Sequence, residues 1–321
     1  MAHVTFIHGM CNKPAADPLL ALWRNALAGG EGGLNLSNRG VTSRMVYWAD
    51  VLYPEPCLPE AVSESVGELV ARDQPVDLSW RGGLSGDERE WVESLAGQLK
   101  VDAPIPDDEE PVADVEAGMS PELERIPLPW WIKKEVMKSL LRDVHHYLFN
   151  TDHSPRPGVT YRVRDEIRRR AIEALKSAGE VSSPRPHVVV SHSMGTIVAY
   201  DCLKRVADCP TVDALLTIGS PLGLDEVQDK LKPEGSGQPG WSRDDGFPKE
   251  RVTGDWTNVY DPLDVVAAFD PALAGDYRKA KKRVVDDVNE PNWGRWRHDI
   301  AKYLAGRQLR STLGRVLGQG R

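Results

Sequence analysis

Residues 187–200 read His-Val-Val-Val-Ser-His-Ser-Met-Gly-Thr-Ile-Val-Ala-Tyr, and no other stretch restricts the fold as much. The run from His187 to Val190 favours a short buried strand, whereas Thr196 to Ala207 has helical spacing, so only five residues remain to turn one into the other. Where a strand and a helix meet that abruptly, the backbones crowd each other and tolerate only small side chains. Ser191 and Gly195 occupy those two places, flanking Ser193 at two residues on either side; Ser191 stands where glycine is usual. Such a turn lifts the Ser193 hydroxyl clear of the sheet and sets the Met194 N–H, at the positive end of a helix, beside it. A serine nucleophile with a backbone oxyanion donor is the chemistry this pattern points to.

The rest of the chain alternates apolar runs with helix-period segments, the pattern of a mostly parallel sheet covered by helices. Strands are predicted at Val4–Ile7, Ser43–Trp48, His187–Val190, Ala214–Ile218, Thr257–Tyr260 and Lys282–Val285. Helices are predicted at Leu19–Leu27, Val163–Ser177 and Thr196–Ala207. One core over residues 1–53 and 159–321 is expected, since 321 residues suit a single large α/β domain carrying an insertion.

Residues 54–158 interrupt this rhythm and are too long for a plain loop, so they are expected to form an inserted cap or lid with structure of its own. Within it, the acidic, Pro-rich stretch Asp102–Pro111 buries too little apolar surface to order itself. Trp130 to Phe149 differs: Val136, Met137, Leu140, Leu141, Val144 and Leu148 recur at three- and four-residue steps, marking an amphipathic helix headed by two tryptophans. Its apolar stripe is expected to pack against the domain, the alternative being a lid that meets lipid. The tail Arg307–Arg321, with Leu309, Leu313 and Leu317 among four arginines, reads as a solvated terminal helix, with transient contact to an anionic membrane surface as the other option.

Composition removes other classes. With 40 Lys plus Arg against 48 Asp plus Glu, the net charge of −8 gives no basic footprint, so nucleic acid is not an expected partner. Cys11, Cys57, Cys202 and Cys209 lack metal-ligand spacing. No secretory leader pattern and no apolar run of membrane-spanning length are present, so a soluble, cytoplasmic protein is expected.

The segment Ser191-His192-Ser193-Met194-Gly195-Thr196-Ile197-Val198-Ala199-Tyr200-Asp201 resembles the nucleophile elbow of esterases and lipases of the α/β-hydrolase superfamily, most closely that of intracellular phospholipases with a DDHD domain. Ile218-Gly219-Ser220-Pro221-Leu222 is similar to the Gly-Ser-Pro-Leu segment of the same group. The likeness covers the core strands, about half the chain, and leaves residues 54–158 aside. It implies an α/β-hydrolase-like fold and cleavage of small-molecule or lipid esters without a cofactor.

That family's chain order is nucleophile, acid, histidine. After His192 the chain has one further histidine, His298, ahead of a helix at Asp299–Leu304, so the base is assigned to it. The acid is expected after the strand Thr257–Tyr260, where Asp261 and Asp264 both qualify. Asp264, followed by Val265-Val266, resembles the acid of many lipases, whereas Asp261 before Pro262 is explained as a turn residue. The turn His8-Gly9-Met10-Cys11 is similar to the His-Gly turn that supplies the second oxyanion donor, here the Met10 N–H. Thioesters and amides remain open as substrates of the same constellation, as does a non-catalytic binding module on this fold.

Overall fold

In the computed structural model, the described residues are 2–57, 76–102, 130–180, 186–231, 251–267, 269–279, 282–293 and 296–318. The first half comprises β1 (His3–Ile7), α1 (Ala16–Ala28), β2 (Thr42–Val46), α2 (Ala49–Leu52), α3 (Gly86–Gln98) and α4 (Trp130–Phe149). Next come β3 (Asp152–Arg156), β4 (Val159–Arg162), α5 (Val163–Glu180), β5 (His187–His192), α6 (Met194–Arg205), β6 (Ala214–Ile218) and α7 (Asp225–Leu231). The chain continues through β7 (Trp256–Tyr260), β8 (Arg278–Lys279), β9 (Lys282–Arg283), β10 (Asp286–Asn289), α8 (Ile300–Ala305) and α9 (Arg307–Val316).

Six strands form one sheet in the order β10-β7-β6-β5-β1-β2, every neighbouring pair parallel. The protein is thus α/β, with helices on both faces, because parallel strands need crossovers and buried faces. Side chains alternate accordingly. Ile7, Val46, Val189, Leu215 and Trp256 join one core with α3 to α6, while Val4, Phe6, Val188, Val190, Leu216 and Val259 join the other with α1, α8 and α9. The chain runs from β1 outward to β2, then returns to place β5 on the other side of β1. Strand order therefore reverses between β1 and β5, the place where open α/β sheets form a crevice at their carboxyl edge.

Two sequence expectations are corrected. Lys282–Val285 is not a sheet strand: Lys282 and Arg283 pair antiparallel with Arg278 and Lys279 in a small hairpin, and the sixth sheet strand is Asp286–Asn289. It escaped hydropathy because it is a polar edge, and its Asp287 accepts the N–H groups of Leu273 and Ala274 and the Asn258 amide. The apolar stripe of the tail does not face solvent either, since Leu309, Leu313 and Leu317 are buried. Arg310 is buried with them and donates to the carbonyls of Ala26, Gly29 and Glu31 at the end of α1 and to Leu304.

Within residues 54–158, Val136, Met137, Leu140, Leu141, Val144 and Leu148 of α4 are buried in the same core as α5 and α6, as the packing expectation had it. Tyr147 of α4 donates to the buried Asp201 of α6, which Arg168 of α5 also grips with two hydrogen bonds. The expected border at residues 158/159 falls in the turn of the β3–β4 hairpin. Most of Asp102–Pro111 and the side chains of residues 130–133, the two tryptophans among them, lie outside the described residues. No helix among the described residues is long and apolar enough to cross a membrane, and no disulfide joins Cys11, Cys57, Cys202 or Cys209.

Candidate active site

Ser193 links β5 to α6 with φ 54° and ψ −130°, a backbone conformation that a non-glycine residue adopts only under constraint. The constraint comes from the β1–β5 seam. A Cβ on Gly195 would lie 2.5 Å from the carbonyl oxygens of Ile7 and His8, and one on Gly9 would lie 2.6 Å from the Ser193 Cβ. Neither position has room for a side chain. The Ser193 N–H donates to Ile218 O at 2.9 Å, and the Thr196 hydroxyl donates to Ser193 O at 2.7 Å. Ser191, where glycine is usual, donates its hydroxyl to Leu216 O at 3.1 Å, so the added side chain turns into the sheet and leaves the tight turn intact.

The structure brings Asp264 and His298 together. His298 Nδ1 lies 2.9 Å from both carboxylate oxygens of Asp264, which also accepts the Val266 N–H at 2.9 Å and the Tyr303 hydroxyl at 2.8 Å. A carboxylate can only accept, so the proton is assigned to Nδ1, leaving the Nε2 lone pair available as a base. Gly219, at φ 52°, makes this approach possible: a Cβ there would lie 2.8 Å from Asp264 Oδ2 and 3.1 Å from His298 Nδ1. Burial opposes the charge on Asp264, but the imidazole and the donors around it outweigh burial and hold the carboxyl below its usual range.

Asp261 is occupied elsewhere. Its carboxylate accepts the N–H groups of Leu263 and Asn292 and a guanidinium N–H of Arg297, joining its own turn to the loop that carries His298. Tyr303 connects the two aspartates, accepting the Asp261 N–H while donating to Asp264. Desolvation and the adjacent Asp264 push the Tyr303 hydroxyl well above its ordinary pKa, so it stays a donor.

Ser193 Oγ and His298 Nε2 are both buried, and neither has a hydrogen-bond partner, so the structure does not join them directly. Resting catalytic hydrogen bonds are often long and tighten only around substrate. His192 packs its ring 4.5 Å from that of His298, and its Nε2 donates to the His298 carbonyl at 3.0 Å. Burial, then His298 and Lys13, holds His192 well below the usual histidine pKa, so it is a neutral strut for the loop that carries His298.

Met194 opens α6, so its N–H belongs to the first-turn groups that have no acceptor within the helix. On the other side, His8 stacks on Trp48 and accepts the Trp48 N–H at Nε2, which leaves Nδ1 to donate to Gly9 O at 2.8 Å. Burial, reinforced by Lys13, lowers His8 to about 3 and keeps it neutral. In the usual trans peptide, holding the Gly9 oxygen there turns the Met10 N–H the opposite way.

The close approach at Gly219, the Tyr303 hydroxyl and the packing of His192 on His298 were not singled out from the sequence. Gly219 was within reach, because a glycine ending a β-rich strand signals close approach. The other two act through contacts distant in sequence.

No protein-family model and no curated protein matches the chain. Among solved structures, the chain is similar to an uncharacterized protein from Pseudomonas aeruginosa, at 12% identity and a TM-score of 0.28, over 91% of this chain and 40% of that one. A likeness at that score supports neither a fold family nor an activity.

Proposed function

We propose that this chain is a serine hydrolase of the α/β-hydrolase type, cleaving carboxylic esters through an acyl-enzyme on Ser193. The observation that carries this reading is the meeting, at one carboxyl edge of the sheet, of a strained serine turn with a buried Asp264–His298 pair whose Nε2 is unpartnered.

In the proposed cycle, Ser193 Oγ bonds to the ester carbonyl carbon as its proton passes to His298 Nε2. The carbonyl oxygen takes the electron pair and accepts from the N–H groups of Met10 and Met194. Collapse of this adduct breaks the bond to the alcohol, which leaves with the proton from His298. Water then attacks the acyl group, gives its proton to His298, and Ser193 recovers that proton as the acid departs. Asp264 steadies the transient imidazolium without taking its proton, and Tyr303 and the Val266 N–H keep the carboxylate oriented.

A fluorophosphonate probe tests the nucleophile: wild type is expected to label and lose esterase activity, and Ser193→Ala to do neither. Equal labelling of the two would overturn the assignment. An acyl-chain series on simple esters, with and without phospholipid vesicles, then separates small soluble esters from lipid substrates.

A further inference from the structure

The inserted helix α4 reaches the site through one buried carboxylate. Asp143 is fully buried, and its Oδ2 accepts the N–H of Cys11 at 3.0 Å, across 132 residues of sequence. The same oxygen accepts the Tyr53 hydroxyl at 2.9 Å, while Oδ1 takes two N–H groups of Arg142 at 2.9 and 3.0 Å. Arg142 also donates to the Tyr53 hydroxyl, so each polar group in the cluster has a partner. Burial works against the Arg142 charge, but Asp143 more than compensates and keeps the guanidinium protonated.

Cys11 needs such a partner. It is a non-glycine residue at φ 66°, a left-handed conformation disfavoured by about 1–2 kcal/mol. It directly follows Met10, and the peptide between them is held at both ends: Lys13 Nζ donates to Met10 O at 2.5 Å, and Asp143 accepts the Cys11 N–H. On the other side, His8 holds the Gly9 oxygen. Met10 is therefore clamped between two fixed peptide planes, and the direction of its N–H follows from them.

We propose that Asp143 is a positioning residue for the oxyanion hole, fixing the Met10–Cys11 peptide so that the Met10 N–H meets the developing oxyanion; this rests on the serine hydrolase reading above. The insert thus contributes to the chemical step without touching substrate. A donor that shifts by about 1 Å loses on the order of a hundredfold in rate, and one removed loses about a hundred- to a thousandfold.

The test compares an oxygen ester with its thionoester, whose carbonyl sulfur accepts hydrogen bonds poorly and so draws little on the hole. Asp143→Ala is expected to lower kcat on the oxygen ester by about tenfold or more, with KM little changed, and to slow the thionoester much less. The oxygen-to-sulfur rate ratio therefore falls about tenfold. Asp143→Asn keeps an acceptor for Cys11 and is expected to restore most of that ratio. Should Asp143→Ala fail to fold, the double variant Arg142→Met/Asp143→Leu buries no unpaired charge and is expected to show the same fall. An equal loss on both substrates, or none on either, overturns the positioning role. Ser193→Ala run beside them separates the two ideas. If it is inactive while the Asp143 variants keep the wild-type ratio, the inference alone fails; if it retains activity, the serine hydrolase reading fails and takes the inference with it.

Discussion

The two halves of the site are held by different means. At the β1–β5 seam, Ser193 is fixed by backbone: its own N–H and carbonyl are bonded, and Gly9 and Gly195 let two chain segments touch. At the β7–β10 end, Asp264 and His298 are fixed by side chains, those of Tyr303, Asp261, Asn292, Arg297 and His192. A backbone-held group stores strain and fails where a glycine such as Gly9 or Gly195 gains a side chain, whereas a side-chain network can be taken apart one member at a time.

The largest effect expected from breaking that contrast is on the side-chain half. Asp264→Asn should lower kcat by about four orders of magnitude by disfavouring the required His298 tautomer, while leaving the fluorophosphonate site present. Asp261→Asn should instead cost about 1–3 kcal/mol of stability with a far smaller loss of kcat, because its partners are loop groups. Steady-state kinetics with urea unfolding of both variants checks the pair, and reversed effects would exchange the roles of the two aspartates.

Acid is expected to loosen the backbone-held half next. His8 falls from 6.5 to about 3 on folding, so below pH 6.5 the unfolded chain binds a proton that the folded one refuses. Stability from this group is therefore complete above about pH 6.5 and declines as pH drops toward 3, by on the order of 1 kcal/mol per unit. Urea midpoints between pH 7 and 4 should fall, and should fall less steeply in His8→Asn. A smaller effect sharpens the strain argument: Ser193→Gly should raise stability by about 1 kcal/mol over Ser193→Ala, measured by thermal melting, since glycine accepts φ 54° freely.

How much of this was legible in the sequence follows the same division. The serine turn is local, so five residues and their flanks announced it, and His298 followed from chain order. Of the two aspartates after β7, Asp264 is the one in contact with His298, while Asp261 before Pro262 accepts the Leu263 N–H of its own turn, which is a local role. Asp143 and Tyr303 left no local trace. Each works through a bond spanning tens of residues or more, and nothing in an amphipathic helix reveals which polar residue on it will be buried. The edge strand Asp286–Asn289 was missed for a related reason: its side chains tie loops together and do not fill a core, so hydropathy pointed to Val284 and Val285 just before it.

The Arg310 contacts set an order of events during synthesis. The carbonyls at the end of α1 wait for a guanidinium that lies 279 to 284 residues further along the chain. At about 5–20 residues per second, a ribosome takes roughly 15 to 60 s to make that stretch. Throughout that interval the sheet face bearing α1 lacks its closing helix and exposes apolar surface, a window in which the nascent chain is open to chaperone binding or to aggregation. Docking of α9 against α1 is then the step that completes the core on this face of the sheet.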